Sequence, residues 1–200
     1  MTALLNHLDV EQPLILIGCS MGGGLALDYA LTHPDNVRAL ILVDSAPSGL
    51  QIDVPTPAKF KLVEDAENAG DLDLVAEIET QIWFDGDRKP GDVNQEMREL
   101  AFVMNRIALS HDAKGLGKQL SNTETPAVGR LRELSVPVLA IVGADDIPYM
   151  HAAVDYMAEE ISTIQKETIK NAAHLPNMDQ PDEFERIVVN FIEDLSSVRL

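Results

Sequence analysis

The chain has 200 residues, with 33 acidic against 15 basic side chains, a net charge of −18 and a pI near 4.4. So acidic a surface repels phosphate backbones and anionic bilayers, which excludes nucleic acid and membrane surfaces as partners. The chain is 46% hydrophobic, enough to bury a core, and no apolar run approaches the roughly 20 residues of a membrane span. The single cysteine, Cys19, excludes an internal disulfide framework and a cysteine-clustered zinc site. The first residues show no basic segment followed by an apolar leader, so a reducing cytoplasm is the expected location.

Residues 1–10 carry Leu4, Leu5 and Leu8 at helical spacing. The run 13–18 (Pro-Leu-Ile-Leu-Ile-Gly) has no polar alternation, which predicts a strand covered on both faces in a parallel sheet. A helix over 25–31 stops at His33-Pro34. A second apolar strand is expected at 37–43, a third at 136–143 and a polar fourth at 167–170, with helices over 148–162 and 181–195. Strands alternating with helices imply βαβ units and a mostly parallel sheet flanked by helices, an α/β fold. The stretch between the second and third strands contains no strand-like run. It predicts helices over 58–69, 72–84, 93–110 and 126–134. The expected organisation is a core domain in two parts, 1–50 and 131–200, interrupted by an all-helical insertion over 51–130.

Gly18-Cys19-Ser20-Met21-Gly22 fits G-x-S-x-G between an apolar strand and a glycine-led helix. A nucleophile on so sharp a turn needs a strained backbone, and the spacing assigns Gly18 and Gly22 to the close approach of strand and helix. The turn sets Ser20 at a helix N-terminus, where the backbone N–H of Met21 is a candidate oxyanion donor. Cys19 is the competing nucleophile, but a turn centred there would require small residues where Ile17 and Met21 stand. It reads as a packed apolar side chain.

A serine nucleophile needs a base, and the base an orienting acid. Of five histidines, His174 alone follows a predicted strand in a small-residue loop, at the carboxyl edge where ligands gather in parallel sheets. His7, His33, His111 and His151 fall on or beside helices. The acid is assigned to Asp146, after the third strand, with Asp145 the near alternative and Asp44, after the second strand, a competitor. A helix-capping role ahead of Pro148 is the structural alternative for the first two. Ser20, Asp146 and His174 then occur in the order Ser…Asp…His. Trp83, Phe84, Met97, Phe102 and Met104 are candidates to line an acyl pocket, although residues at helical spacing also serve as core.

With these residues in place the chain resembles the α/β-hydrolase fold family. Gly18-Cys19-Ser20-Met21-Gly22-Gly23 resembles its nucleophile elbow, Val142-Gly143-Ala144-Asp145-Asp146 its acid loop, and residues 171–181 its histidine loop. The stretch 71–86 is similar to relatives of 3-oxoadipate enol-lactonases. The resemblance implies a serine hydrolase with a helical cap, no metal or organic cofactor, and a small-molecule ester or lactone as substrate. Carbon–carbon bond hydrolases, peptidases and perhydrolases also keep the serine. The resemblance further implies that several strands precede the elbow, including a loop that donates a second oxyanion N–H, and nothing in residues 1–12 resembles that loop. The expectation is the C-terminal two-thirds of such a hydrolase. It would be a gene fragment, the product of a misplaced start, or a chain that a partner completes. The strand at 14–17 would then be an apolar sheet edge open to homo-oligomerisation or a complementing chain, and an impaired enzyme acting as a binding or assembly module is the rival function.

Overall fold

A computed structural model of the chain describes residues 2–116 and 125–197. A short helix α1 (Thr2–His7) leads to β1 (Leu14–Cys19), α2 (Met21–Thr32) and β2 (Val37–Val43). Three helices follow, α3 (Lys59–Ala69), α4 (Leu72–Thr80) and α5 (Gln95–Ala113). The chain then returns through β3 (Val138–Gly143), α6 (Pro148–Glu160), β4 (Ile164–Ile169), α7 (Pro176–Asp179) and α8 (Pro181–Ser197). The four strands form one parallel sheet in the order β1-β2-β3-β4.

Strand periodicity sorts the core into two layers. Leu40 and Leu42 of β2, with Val138, Ala140 and Val142 of β3, pack against Leu27 and Ala30 of α2 and Val154 and Met157 of α6. The intervening Ala39, Ile41, Val43, Leu139 and Ile141 pack against Ile187, Val188 and Phe191 of α8. Both inner strands are covered on both faces, as continuous apolar runs require.

Among the described residues β1 pairs with β2 alone, the edge position expected for 14–17, but it is half-buried rather than covered on both faces, with Ile17 54% exposed. β4 begins at Ile164 rather than at 167, and its residues 165–168 are exposed. An edge strand with polar side chains has no apolar run by which to recognise it. The helix expected over 126–134 is instead two 3-10 turns, Ala127–Gly129 and Leu131–Glu133. Ser48 holds that segment, its Oγ accepting from Ala127 N at 2.8 Å and its carbonyl from Val128 N at 3.1 Å. The part of the expected insertion over 117–124 lies outside the described residues.

The helices between β2 and β3 start and stop where local chemistry directs. Asp71 caps α4 by accepting from Leu74 N at 3.0 Å, and Asn94 caps α5 by accepting from Glu96 N and Met97 N. Gly70, at φ 71°, closes α3 in the left-handed conformation that favours glycine. The helix expected over 72–84 ends at Thr80 and continues as one π-helical turn, Gln81–Asp85. Such a turn inserts a residue and re-aims the chain beyond it. Here it carries Trp83 and Phe84 to the histidine loop. No helix among the described residues is long and apolar enough to cross a membrane.

Candidate active site

Ser20 follows β1 and stands at the N-cap of α2 with φ 51° and ψ −119°, a conformation that only surrounding structure can hold in a non-glycine residue. Its N–H donates to Val43 O at 2.8 Å, while its carbonyl accepts from Gly23 N and Gly24 N. A Cβ on Gly18 would stand 2.4 Å from the backbone of Gly22 and Gly23. A Cβ on Gly23 would stand 2.0 Å from Ser45 Oγ and 2.8 Å from Gly18 O, whereas one on Gly22 meets nothing. The side-chain-free position on the helix side is therefore Gly23, not Gly22 as the spacing suggested. Met21 opens α2, so its N–H is a first-turn donor with no carbonyl one turn back.

His174 follows β4 and is held at three points. Its backbone N–H donates to Trp83 O at 3.0 Å, and its ring lies 4.5 Å from the Trp83 ring. Its Nδ1–H donates to Asp146 Oδ2 at 2.7 Å with both side chains buried, which leaves Nε2 as the acceptor. The other oxygen of Asp146 accepts from Ile147 N at 2.7 Å. Of the three acid candidates, Asp146 is the one bonded to His174. Asp145 turns toward Arg88, 3.9 Å away. Of the remaining histidines, His33 stacks on Tyr29 at the end of α2.

Asp44 stands beside the pair without touching the imidazole's hydrogen bond. It follows β2 at φ 42° and is fully buried. Its Oδ1 accepts from Gly143 N at 2.9 Å, and no N–H or hydroxyl donor reaches its buried Oδ2. Burial, followed by the hydrogen bond and charge of Asp146, pushes its carboxyl up to about 9, against the opposing Gly143 N–H, which favours the protonated form. Asp44, Asp146 and His174 are also the group among the described residues whose donor atoms would fit around one cation, all lying within 4.8 Å of one another. The 2.7 Å contact has the geometry of a charge-assisted hydrogen bond using the imidazole N–H.

Cys19 is no rival nucleophile. Burial, with Asp44 and Asp146 adding like charge, pushes its thiol up to about 12, and Sγ donates to His174 O at 3.6 Å. Iodoacetamide at pH 8 is expected to leave native Cys19 unmodified and to alkylate it after unfolding in guanidinium. Equal rates in both states, read by intact mass, would contradict the raised thiol.

Ser20 and His174 share the wall of a cavity of about 570 Å³ between the sheet edge and helices α4 and α5. Of the acyl-pocket candidates, Trp83, Phe84 and Met104 lie in its lining. Met97 does not, because it packs on the cluster of Phe84, Val93 and Ala101, and Phe102, half-buried on α5, also lies outside the lining. Three features were invisible in the sequence. Glu79 and Asn105 form a polar patch in the wall, joined at 2.8 Å. Asp179 anchors the histidine loop by accepting from Ala173 N at 3.2 Å. It is also gripped by both terminal nitrogens of Arg88, at 3.1 and 2.8 Å. Arg88 in turn donates to Asn171 O at 2.7 Å and to Phe84 O, which stitches the π-helical turn to the loop that carries His174.

The family model for the alpha/beta hydrolase fold matches residues 1–181. The chain is 28% identical over 180 residues to a pimeloyl-acyl-carrier-protein methyl ester esterase of Nitrosospira multiformis, covering 88% of this chain and 67% of that one. It is 27% identical over 195 residues to a 2-hydroxy-6-oxononadienedioate/2-hydroxy-6-oxononatrienedioate hydrolase of Paraburkholderia xenovorans, covering 94% of this chain and 65% of that one. Among solved structures, a thermophilic esterase from Thermogutta terrifontis superposes with a TM-score of 0.64 at 26% identity, over 96% of this chain and 69% of that one. The chain thus spans about two thirds of the length of these proteins. Matched over most of its length and carrying the strand, elbow and helix arrangement described above, the chain belongs to the alpha/beta hydrolase fold family.

Proposed function

We propose that the chain is a serine hydrolase that cleaves a carboxylic ester or lactone of a small molecule through an acyl-enzyme on Ser20. One observation carries this reading. Ser20, on a strained turn at the head of α2, shares a cavity with a His174 whose Nδ1–H is fixed on a buried Asp146. With its proton on Nδ1, the imidazole presents the Nε2 lone pair. His174 takes the proton of Ser20 Oγ as the oxygen bonds to the substrate carbonyl carbon, and Asp146 stabilises the imidazolium. The N–H of Met21 and the positive end of α2 favour the oxyanion. His174 returns the proton to the leaving alkoxide, which departs from an ester and stays tethered in a lactone. Water, deprotonated by the same histidine, then releases the acid. The sequence calls for no metal or organic cofactor, and a single half-buried cysteine suits a reducing cytoplasm.

A carbon–carbon bond hydrolase is the second reading, favoured by the dioate hydrolase relative. Both readings place the nucleophile on Ser20. A fluorophosphonate probe tests them together: it is expected to label the folded protein, with the adduct on Ser20, and to leave Ser20→Ala unlabelled. Folded protein that takes no label, or equal labelling of the variant, sinks both and leaves the binding-module alternative.

A further inference from the structure

The cavity over Ser20 is one-sided in charge. Among the described residues that line it, Glu79 is the sole acid, and no lysine or arginine is present. Glu79 sits half-buried on α4, and Asn105 of α5 donates Nδ2 to its Oε2 at 2.8 Å, which fixes the carboxylate in the wall. The hydroxyl of the neighbouring Thr80 is turned back on Ala76 O at 2.7 Å. The arginines of α5 are engaged elsewhere, Arg98 with Glu77 and Asp85 and Arg106 with Asp73. Arg88 is held by Asp179. Most of the remaining wall is apolar, with Trp83, Phe84, Met104 and Met178 among it. Its volume is that of a small-molecule site.

We propose that this site takes an uncharged acyl group and that Glu79 excludes acyl chains ending in a carboxylate. The inference rests on the acyl-enzyme reading above and deepens it by naming the acyl class. A terminal carboxylate entering this cavity loses its water and meets a fixed like charge, with no lysine or arginine among the described lining residues to pair it. Rejection of a competitor by an unpaired like charge is the repulsive half of specificity. An uncharged chain loses nothing by the same transfer and gains contact with Trp83, Phe84 and Met104.

The test compares 4-nitrophenyl hexanoate with mono-4-nitrophenyl adipate, which has the same six-carbon acyl chain with a carboxylate at its end. Each is assayed on the full chain and on Glu79→Gln, with fluorophosphonate labelling of Ser20 run alongside. In the unaltered protein kcat/KM for the hexanoate should exceed that for the adipate by about 10- to 100-fold. In Glu79→Gln the ratio should fall to within about threefold, and because it is read within each protein a general loss of activity cancels. Asn105→Lys provides a second route should Glu79→Gln not fold, and it should erase or reverse the preference by placing a cation in the wall. Equal turnover of both esters by the unaltered chain, or a ratio that survives in the variants, overturns the proposal and leaves the acyl-enzyme intact. Absence of Ser20-dependent turnover of either ester, with no labelling, overturns the acyl-enzyme reading and the proposal with it.

Discussion

Replacing His174 with alanine should lower kcat/KM for a 4-nitrophenyl ester by about 10⁴- to 10⁶-fold, and Asp146→Asn by about 10⁴-fold. The first loss comes from removing the one histidine among the described residues that shares the cavity wall with Ser20. The second is subtler, since the new amide fills the same space. Asp146 fixes the proton on Nδ1 because a carboxylate only accepts, and the 2.7 Å contact leaves Nε2 free to take the serine proton. An amide at that position can turn its NH₂ toward Nδ1, which then accepts. The imidazole proton moves to Nε2, the nitrogen that should receive the proton of Ser20. Geometry survives and the base is lost. Because serine and histidine act as a unit, Ser20→Ala and the double variant with His174→Ala should be about equally inactive. Far-ultraviolet circular dichroism on each variant separates lost chemistry from lost folding. Turnover within tenfold of the unaltered chain in folded His174→Ala would remove His174 from the mechanism.

How much of this arrangement the sequence reveals depends on how local its cause is. The turn at Ser20 is legible because strand, nucleophile and glycines lie within a few residues, and the apolar runs of β2 and β3 are legible because both faces of each are buried. Even there the spacing pointed to Gly22. The close approach falls on Gly23, because what crowds it is Ser45, at the end of a different strand. Asp44, Asp145 and Asp146 all follow strands and are equivalent as letters. Which one meets Nδ1 is decided by the register of β3 against β4, which brings Gly143 opposite Ile169 and the two loops together. The grip of Arg88 on Asp179 spans 91 positions and the Glu79–Asn105 pair joins two helices, so no periodicity signals either. Met97 and Phe102 show the converse. Both have the composition of a pocket wall, but Met97 packs inward on Phe84 and neither lines the cavity.

Asp44→Asn should make the protein more stable at pH 8 while changing little near pH 4. The Asp44 carboxyl is pushed up to about 9 by burial and by Asp146, against about 3.9 in an unfolded chain. Between those values the folded state holds one proton more than the unfolded state. The derivative of unfolding free energy with pH is then negative, and stability declines as pH rises from about 4 to about 9, by at most about 1.4 kcal/mol per unit. Asparagine does not titrate. Its amide oxygen can still accept from Gly143 N, and its NH₂ can stand where the neutral acid places its proton, beside Asp146. The variant should therefore gain of order 2–4 kcal/mol over the unaltered chain at pH 8, read as a raised urea midpoint at unchanged slope. Asp44→Ala separates this effect from packing, because it also removes the titration but leaves Gly143 N–H without its acceptor in a buried site, so it should be less stable than Asp44→Asn at every pH. A gap between Asp44→Asn and the unaltered chain that stays constant from pH 4 to pH 9 would mean that Asp44 is ionised in the fold. Two buried carboxylates would then face one imidazole, and that second charge could be held only at the expense of the stability that the measurement reads.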